Sequence, residues 1–132
     1  MSTFVDTSAL LAVLDADDQN HRPALATWTH LVGAEAVLVC TNYVLVEAMA
    51  LIQHRLGIEA VRTFQEDVAP LLQVAWMDAQ SHERSVAALL ISGRRRLSLV
   101  DCASFDTMRS LGMTTAFVFD RHFTEQGFAC VP

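Results

Sequence analysis

Lysine is missing from this chain. All nine basic side chains among its 132 residues are arginine, set against 15 acids, and the net charge is −6. The lack of lysine argues against phosphoryl transfer through an aspartyl phosphate, where a lysine stands beside the reactive acid. Asp6, the first candidate for such an acid, also lacks a second aspartate two positions on. Sparse positive charge makes the chain an unusual nucleic-acid binder at first sight. That objection weakens if several acids hold metal, because a bound cation inverts the local charge.

Cysteine is scarce too. Cys40, Cys102 and Cys130 form an odd set with no paired spacing, so neither a disulfide framework nor a zinc site is expected. Their apolar neighbours suggest buried thiols in a reducing, cytoplasmic setting. With five glycines there is no glycine-rich phosphate loop. His21, His30, His54, His82 and His122 show no ligand spacing and read as surface or capping residues. No Ser-His-Asp arrangement stands out. The start has no basic segment of the kind that opens a signal peptide. The longest nearly uncharged run, from Ala36 to Ile52, contains Asn42 and Glu47 and is too short and polar to span a membrane.

Hydrophobic residues are abundant, at 52%. That suits a parallel sheet covered on both faces, and it leaves apolar surface for a partner. The length favours one domain, residues 1–132, able to bury a core without disulfides. Strand-like runs alternate with helical ones, which predicts an α/β fold with a mainly parallel sheet. Helices are expected at Thr7–Leu14, from Pro23 to Gly33, from an Asn42 cap to Leu56, at Ile58–Val68, from an Asp78 cap to Ser92, and from a Ser98 cap to Gly112. Strands are expected at Thr3–Val5, Ala36–Cys40, Leu71–Trp76 and Ala116–Phe119, with a short edge strand at Ala129–Val131.

Four acids fall near element ends. Asp6 follows the first strand directly, where open α/β sheets bind ligands. It could cap the next helix, although Thr7 and Ser8 could do that instead. Glu47 is the only charge between Tyr43 and Ile52, in a helix apolar on nearly every side. Such a helix is expected to be buried, and a buried carboxylate needs a partner. That partner is either a metal or Arg55, two turns away. Asp101 stands third in a capping-box pattern begun by Ser98. Asp106 reads as a solvent-side or supporting acid. Asp120 follows the strand Ala116–Phe119 as Asp6 follows the first, or else caps the turn Arg121-His122-Phe123.

Four carboxylates at one sheet edge repel one another, and a hard divalent cation such as Mg²⁺ or Mn²⁺ resolves that repulsion. The chemistry such a site typically serves is phosphodiester cleavage by metal-activated water.

The segments Phe4-Val5-Asp6-Thr7-Ser8, Thr41-Asn42-Tyr43-Val44-Leu45-Val46-Glu47, Leu97 through Phe105, and Ala116-Phe117-Val118-Phe119-Asp120-Arg121-His122-Phe123 occur in that order. In order and spacing the chain resembles the PIN-domain family, and within it the VapC-type toxin ribonucleases of bacterial toxin–antitoxin pairs. The resemblance covers the whole chain. It implies a three-layer α/β/α fold and Mg²⁺- or Mn²⁺-dependent endonucleolytic cleavage of RNA. It assigns catalytic and metal-binding roles to Asp6, Glu47, Asp101 and Asp120, and supporting polar roles to Thr7, Ser8, Asn42 and Ser98. It also implies a homodimer and a small cognate antitoxin that blocks the site. Arg94, Arg95, Arg96 and Arg121 are the candidates for phosphate contact, with a solvated loop as the alternative. Two other readings remain open at this point: an RNA-processing nuclease outside a toxin pair, and a non-catalytic PIN-like interaction module.

Overall fold

The computed structural model describes all 132 residues. Five strands form the sheet: β1 (Ser2–Val5), β2 (Val37–Thr41), β3 (Leu72–Ala75), β4 (Thr115–Phe117) and β5 (Ala129–Val131). Their order is β3-β2-β1-β4-β5, and every pairing is parallel. The helices are α1 (Thr7–Leu14), α2 (His21–Gly33), α3 (Asn42–Leu56), α4 (Ile58–Thr63), α5 (Ala79–Ser92), α6 (Leu99–Ser110) and α7 (His122–Glu125).

This order fixes where a ligand belongs. The chain steps from β1 out to β2 and β3, then returns past β1 to β4 and β5. Right-handed crossovers therefore place α1 to α4 on one face and α5 to α7 on the other. The direction reverses between β1 and β4, so a crevice opens there beyond their carboxyl ends. Phe4, Val5, Ala116 and Phe117 are wholly buried in these two strands, as a doubly covered sheet requires. The neighbouring rings of Phe105 and Phe123 meet edge to face at 4.9 Å under the sheet.

Several boundaries differ from the sequence expectation. Thr41, not Asn42, caps α3: its Oγ1 accepts the Val44 N–H at 3.1 Å. Asn42 is the first helical residue, and its Oδ1 instead accepts the Met77 N–H at 2.8 Å, which ties the segment after β3 to the start of α3. The helix expected over Ile58–Val68 changes pitch at Phe64. A wider turn there, closed by the Ala69 N–H on the Phe64 carbonyl, leaves both Phe64 and Val68 buried. A 3₁₀ turn containing Pro70 then leads into a β3 shorter than Leu71–Trp76. The fourth strand runs from Thr115 to Phe117 rather than from Ala116 to Phe119, because the Phe119 N–H leaves the sheet to donate to Ser8 Oγ at 3.0 Å. Of the thiols, Cys40 and Cys102 are buried, whereas Cys130 is only half-buried.

Candidate metal and catalytic centre

Asp6 directly follows β1 and is itself the cap of α1. Its Oδ2 accepts the Ser8 N–H at 3.1 Å and the Ser8 hydroxyl at 2.7 Å. The Ser8 Oγ in turn accepts from Phe119 N–H, and the Asp6 N–H donates to the Phe117 carbonyl at 3.1 Å. One serine thus clamps the two strand ends across the crevice. Asp101 holds its expected place in a capping box: its Oδ2 accepts the Ser98 N–H while Ser98 Oγ accepts the Asp101 N–H, both at 3.1 Å. Asp120 lies three residues beyond β4 in a turn, and its Oδ1 accepts the His122 N–H at 2.8 Å. Glu47 projects from the second turn of α3 and has no hydrogen bond or ion pair within the protein. Each of the three aspartates therefore spends one oxygen on the local backbone and leaves the other without a protein partner.

These acids from four separate segments line one cleft of about 290 Å³, together with Thr7, Ser8, Leu11, Leu51, Arg96 and Ser98. Asn42 is not among the lining residues. Glu47 is half-buried rather than buried, because α3 exposes one apolar side, with Val46 at 68%. Arg55 forms no salt bridge with it. Asp106 lies outside the cleft and pairs with Arg84 at 3.1 Å.

Burial raises the Asp6 pKa to about 6. The two Ser8 hydrogen bonds pull against that shift, and the charges of Asp101 and Glu47 add to it. Asp101 is also raised, first by burial and then by Asp120, against the pull of its Ser98 hydrogen bonds. His122 opposes the shift at Asp101, but burial prevails at both aspartates and the neighbouring carboxylates add to it. The Thr7 hydroxyl is buried at the cleft wall with no hydrogen-bond partner. Oxygen donors with free lone pairs, mutual repulsion and an unpaired hydroxyl fit a hard divalent cation.

The cations divide. Arg94 is held by Glu125 at 2.9 Å, and Arg121 lies 4.0 Å from the same carboxylate. Arg95 and Arg96 are exposed and make no salt bridge. Arg96 borders both the acid cleft and an adjoining depression formed with Phe119, Asp120, Arg121 and His122.

Sequence reasoning missed His122. Its side chain is 12% exposed, and its Nε2 lies 3.8 Å from Asp120 Oδ1. Ligand atoms of His122, Asp101 and Asp120 all lie within 4.8 Å of one another. A histidine two positions after a post-strand aspartate was the available signal, and only the tertiary turn gives it meaning.

Similarity to known proteins agrees with this geometry. The PIN domain profile matches residues 3–129. The 23S rRNA-specific endonuclease VapC20 from two strains of Mycobacterium tuberculosis is 32% identical over 126 residues, spanning 95% of this chain and 94% of the relative. The crystal structure of M. tuberculosis VapC20, described as a sarcin–ricin loop cleaving toxin, superposes with a TM-score of 0.84 at 30% identity, covering 97% of both chains. FitAcB from Neisseria gonorrhoeae and DNA-bound VapBC from Salmonella typhimurium share the fold, each at a TM-score of 0.69. Their identities are 14% and 16%, and each match covers 98% of this chain and 96% or 97% of the other. The chain belongs to the PIN domain family and has its three-layer α/β/α fold.

Proposed function

We infer that this chain is a divalent-metal-dependent endoribonuclease, a single PIN nuclease domain serving as the toxin of a toxin–antitoxin pair. The observation that carries this reading is the convergence of four carboxylates, from segments spread over the whole chain, on one cleft at the sheet's switch point. The similarity to VapC20 supports RNA as substrate and makes the sarcin–ricin loop of 23S rRNA the first target to test.

Asp6, Glu47, Asp101 and Asp120 would hold the ion, Mg²⁺ or Mn²⁺. When bound, it supplies charge neutralisation at the scissile phosphate and acidification of the attacking water. The protein's part is orientation. Ser8 and Ser98 fix the rotamers of Asp6 and Asp101 through hydrogen bonds, and the Ser8 clamp holds β1 against β4 so that Asp6 and Asp120 keep their separation. Arg96 at the cleft rim meets a backbone phosphate of the RNA, with Arg95 and Arg121 beyond it. Thr7 offers a donor at the cleft wall.

All four acids line the same cleft, which counts against a decayed, purely binding module. An antitoxin that blocks the site would place an arginine among the acids, since a guanidinium matches carboxylates in bidentate fashion.

The test is cleavage of cellular RNA and intact ribosomes by purified protein, with cut ends mapped. Cleavage is expected with Mg²⁺ or Mn²⁺, to stop in EDTA, and to be lost in a folded Glu47→Gln variant. Undiminished cutting in EDTA would refute the metal mechanism.

A further inference from the structure

One buried group is left over by this reading. His122 Nδ1 is buried and has no hydrogen-bond partner. Its nearest acceptor is Glu125 Oε2 at 3.7 Å, just beyond bonding range. The opposite ring nitrogen, Nε2, faces Asp120 Oδ1 at 3.8 Å, and the ring has a nitrogen within 4.8 Å of carboxylate oxygens of both Asp101 and Asp120. Glu125 is itself anchored from the far side by Arg94 at 2.9 Å.

This is the order of groups seen around metal-bound imidazoles. A histidine that ligates metal through one nitrogen commonly turns its other N–H to a carboxylate, which sets the tautomer and the ring orientation. With the proton on Nδ1 toward Glu125, the Nε2 lone pair faces Asp120, with Asp101 in the same compact group. At 3.8 and 3.7 Å neither Asp120 nor Glu125 is within hydrogen-bond range of the ring. A cation among His122, Asp101 and Asp120 would bond all three, and separations within 4.8 Å require only small rotations for them to reach one ion.

We propose that His122 is a nitrogen ligand of the metal bound between Asp101 and Asp120, with Glu125 and Arg94 as the residues that position its ring. The inference rests on the metal-dependent reading above. Its chemical consequence is selectivity. Imidazole suits transition metals, whereas Mg²⁺ prefers oxygen ligands and keeps its waters. The site should therefore prefer Mn²⁺ over Mg²⁺ by more than carboxylates alone provide.

The experiment is a Mn²⁺ titration of the full-length protein, followed by calorimetry and electron paramagnetic resonance, without substrate. The parent should show nitrogen hyperfine modulation on bound Mn²⁺. His122→Ala should remove that modulation and weaken Mn²⁺ roughly tenfold, with Mg²⁺ affinity nearly unchanged. Glu125→Gln should keep the modulation while weakening Mn²⁺ several-fold. A circular dichroism melt of each variant checks folding, and His122→Gln serves as a second variant if His122→Ala unfolds. Mn²⁺ bound with no nitrogen modulation, and with equal affinity in parent and His122 variants, overturns this inference and leaves the four-acid site standing. Parent protein that binds no Mn²⁺ overturns both.

Discussion

Asp6 lets the metal-free site be weighed. Its carboxyl goes from an ordinary 3.8 to about 6 on folding. Holding it ionised in the fold costs about 3 kcal/mol, at 1.36 kcal/mol for each tenfold change in proton affinity. The folded value lies above the unfolded one, so the native state binds the extra proton. The corresponding stability is fully present below pH 3.8 and is lost as pH rises through about 6. Asp6→Asn removes the charge and keeps an acceptor for the Ser8 N–H, and Asn caps a helix about as well as Asp. Burying the amide returns roughly 1 kcal/mol of that gain. In EDTA at about pH 8 the variant should thus be more stable than the parent by about 2 kcal/mol, a rise in Tm of roughly 6 °C for a domain of this size. At about pH 5, where the parent's Asp6 is mostly protonated in the fold, the gap should shrink by about half or more. Saturating Mn²⁺ should raise the parent's Tm and leave the variant's nearly unmoved. Differential scanning calorimetry at both pH values decides the matter. Equal melting temperatures at about pH 8, or a gap independent of pH, would refute the claim that this carboxylate carries uncompensated charge.

Arg96 borders the acid cleft with no salt bridge of its own, so Arg96→Ala should weaken RNA binding and lower the salt slope of affinity by about 1 while leaving Tm unchanged. An unaltered slope would place the RNA path elsewhere. The protein should also self-associate through its apolar helical surface, where Val46, Ile58, Leu90 and Ile91 stand exposed on α3 to α5. Light scattering that gives the 14.5 kDa monomer mass at micromolar concentration, with and without metal, would count against it.

The architecture was readable because its signals are local: short β-branched apolar runs such as Val37–Cys40 form strands, and Gly57 and Gly93 do end α3 and α5. Asp6 was misjudged in one respect. Capping and site membership looked like competing explanations, and Ser8 or Thr7 seemed able to take the cap. A carboxylate has two oxygens, however, and Asp6 caps with one and faces the cleft with the other. Asp101 does the same. Glu47 was expected to be buried because α3 is apolar on almost every side, but composition alone does not separate a helix in the core from one that keeps an apolar face for a partner. His122 could not be read from its neighbours at all. Its environment depends on the turn that carries Asp120 away from β4 and on Glu125 and Arg94 closing in behind it.

The double duty of the acids at the helix starts bears on how this protein can lose its activity. Exchanging one carboxylate oxygen for an amide nitrogen, at Asp6 or Asp101, leaves the capping hydrogen bonds in place while stripping a charge from the cleft. The shortest route to a silent copy is thus also one that the fold does not punish. A cell that inherits such a copy keeps a folded chain whose surface outside the cleft is unchanged. Scaffold and threat are separable here by a single atom, and a folded structure alone is no guarantee that the blade is sharp.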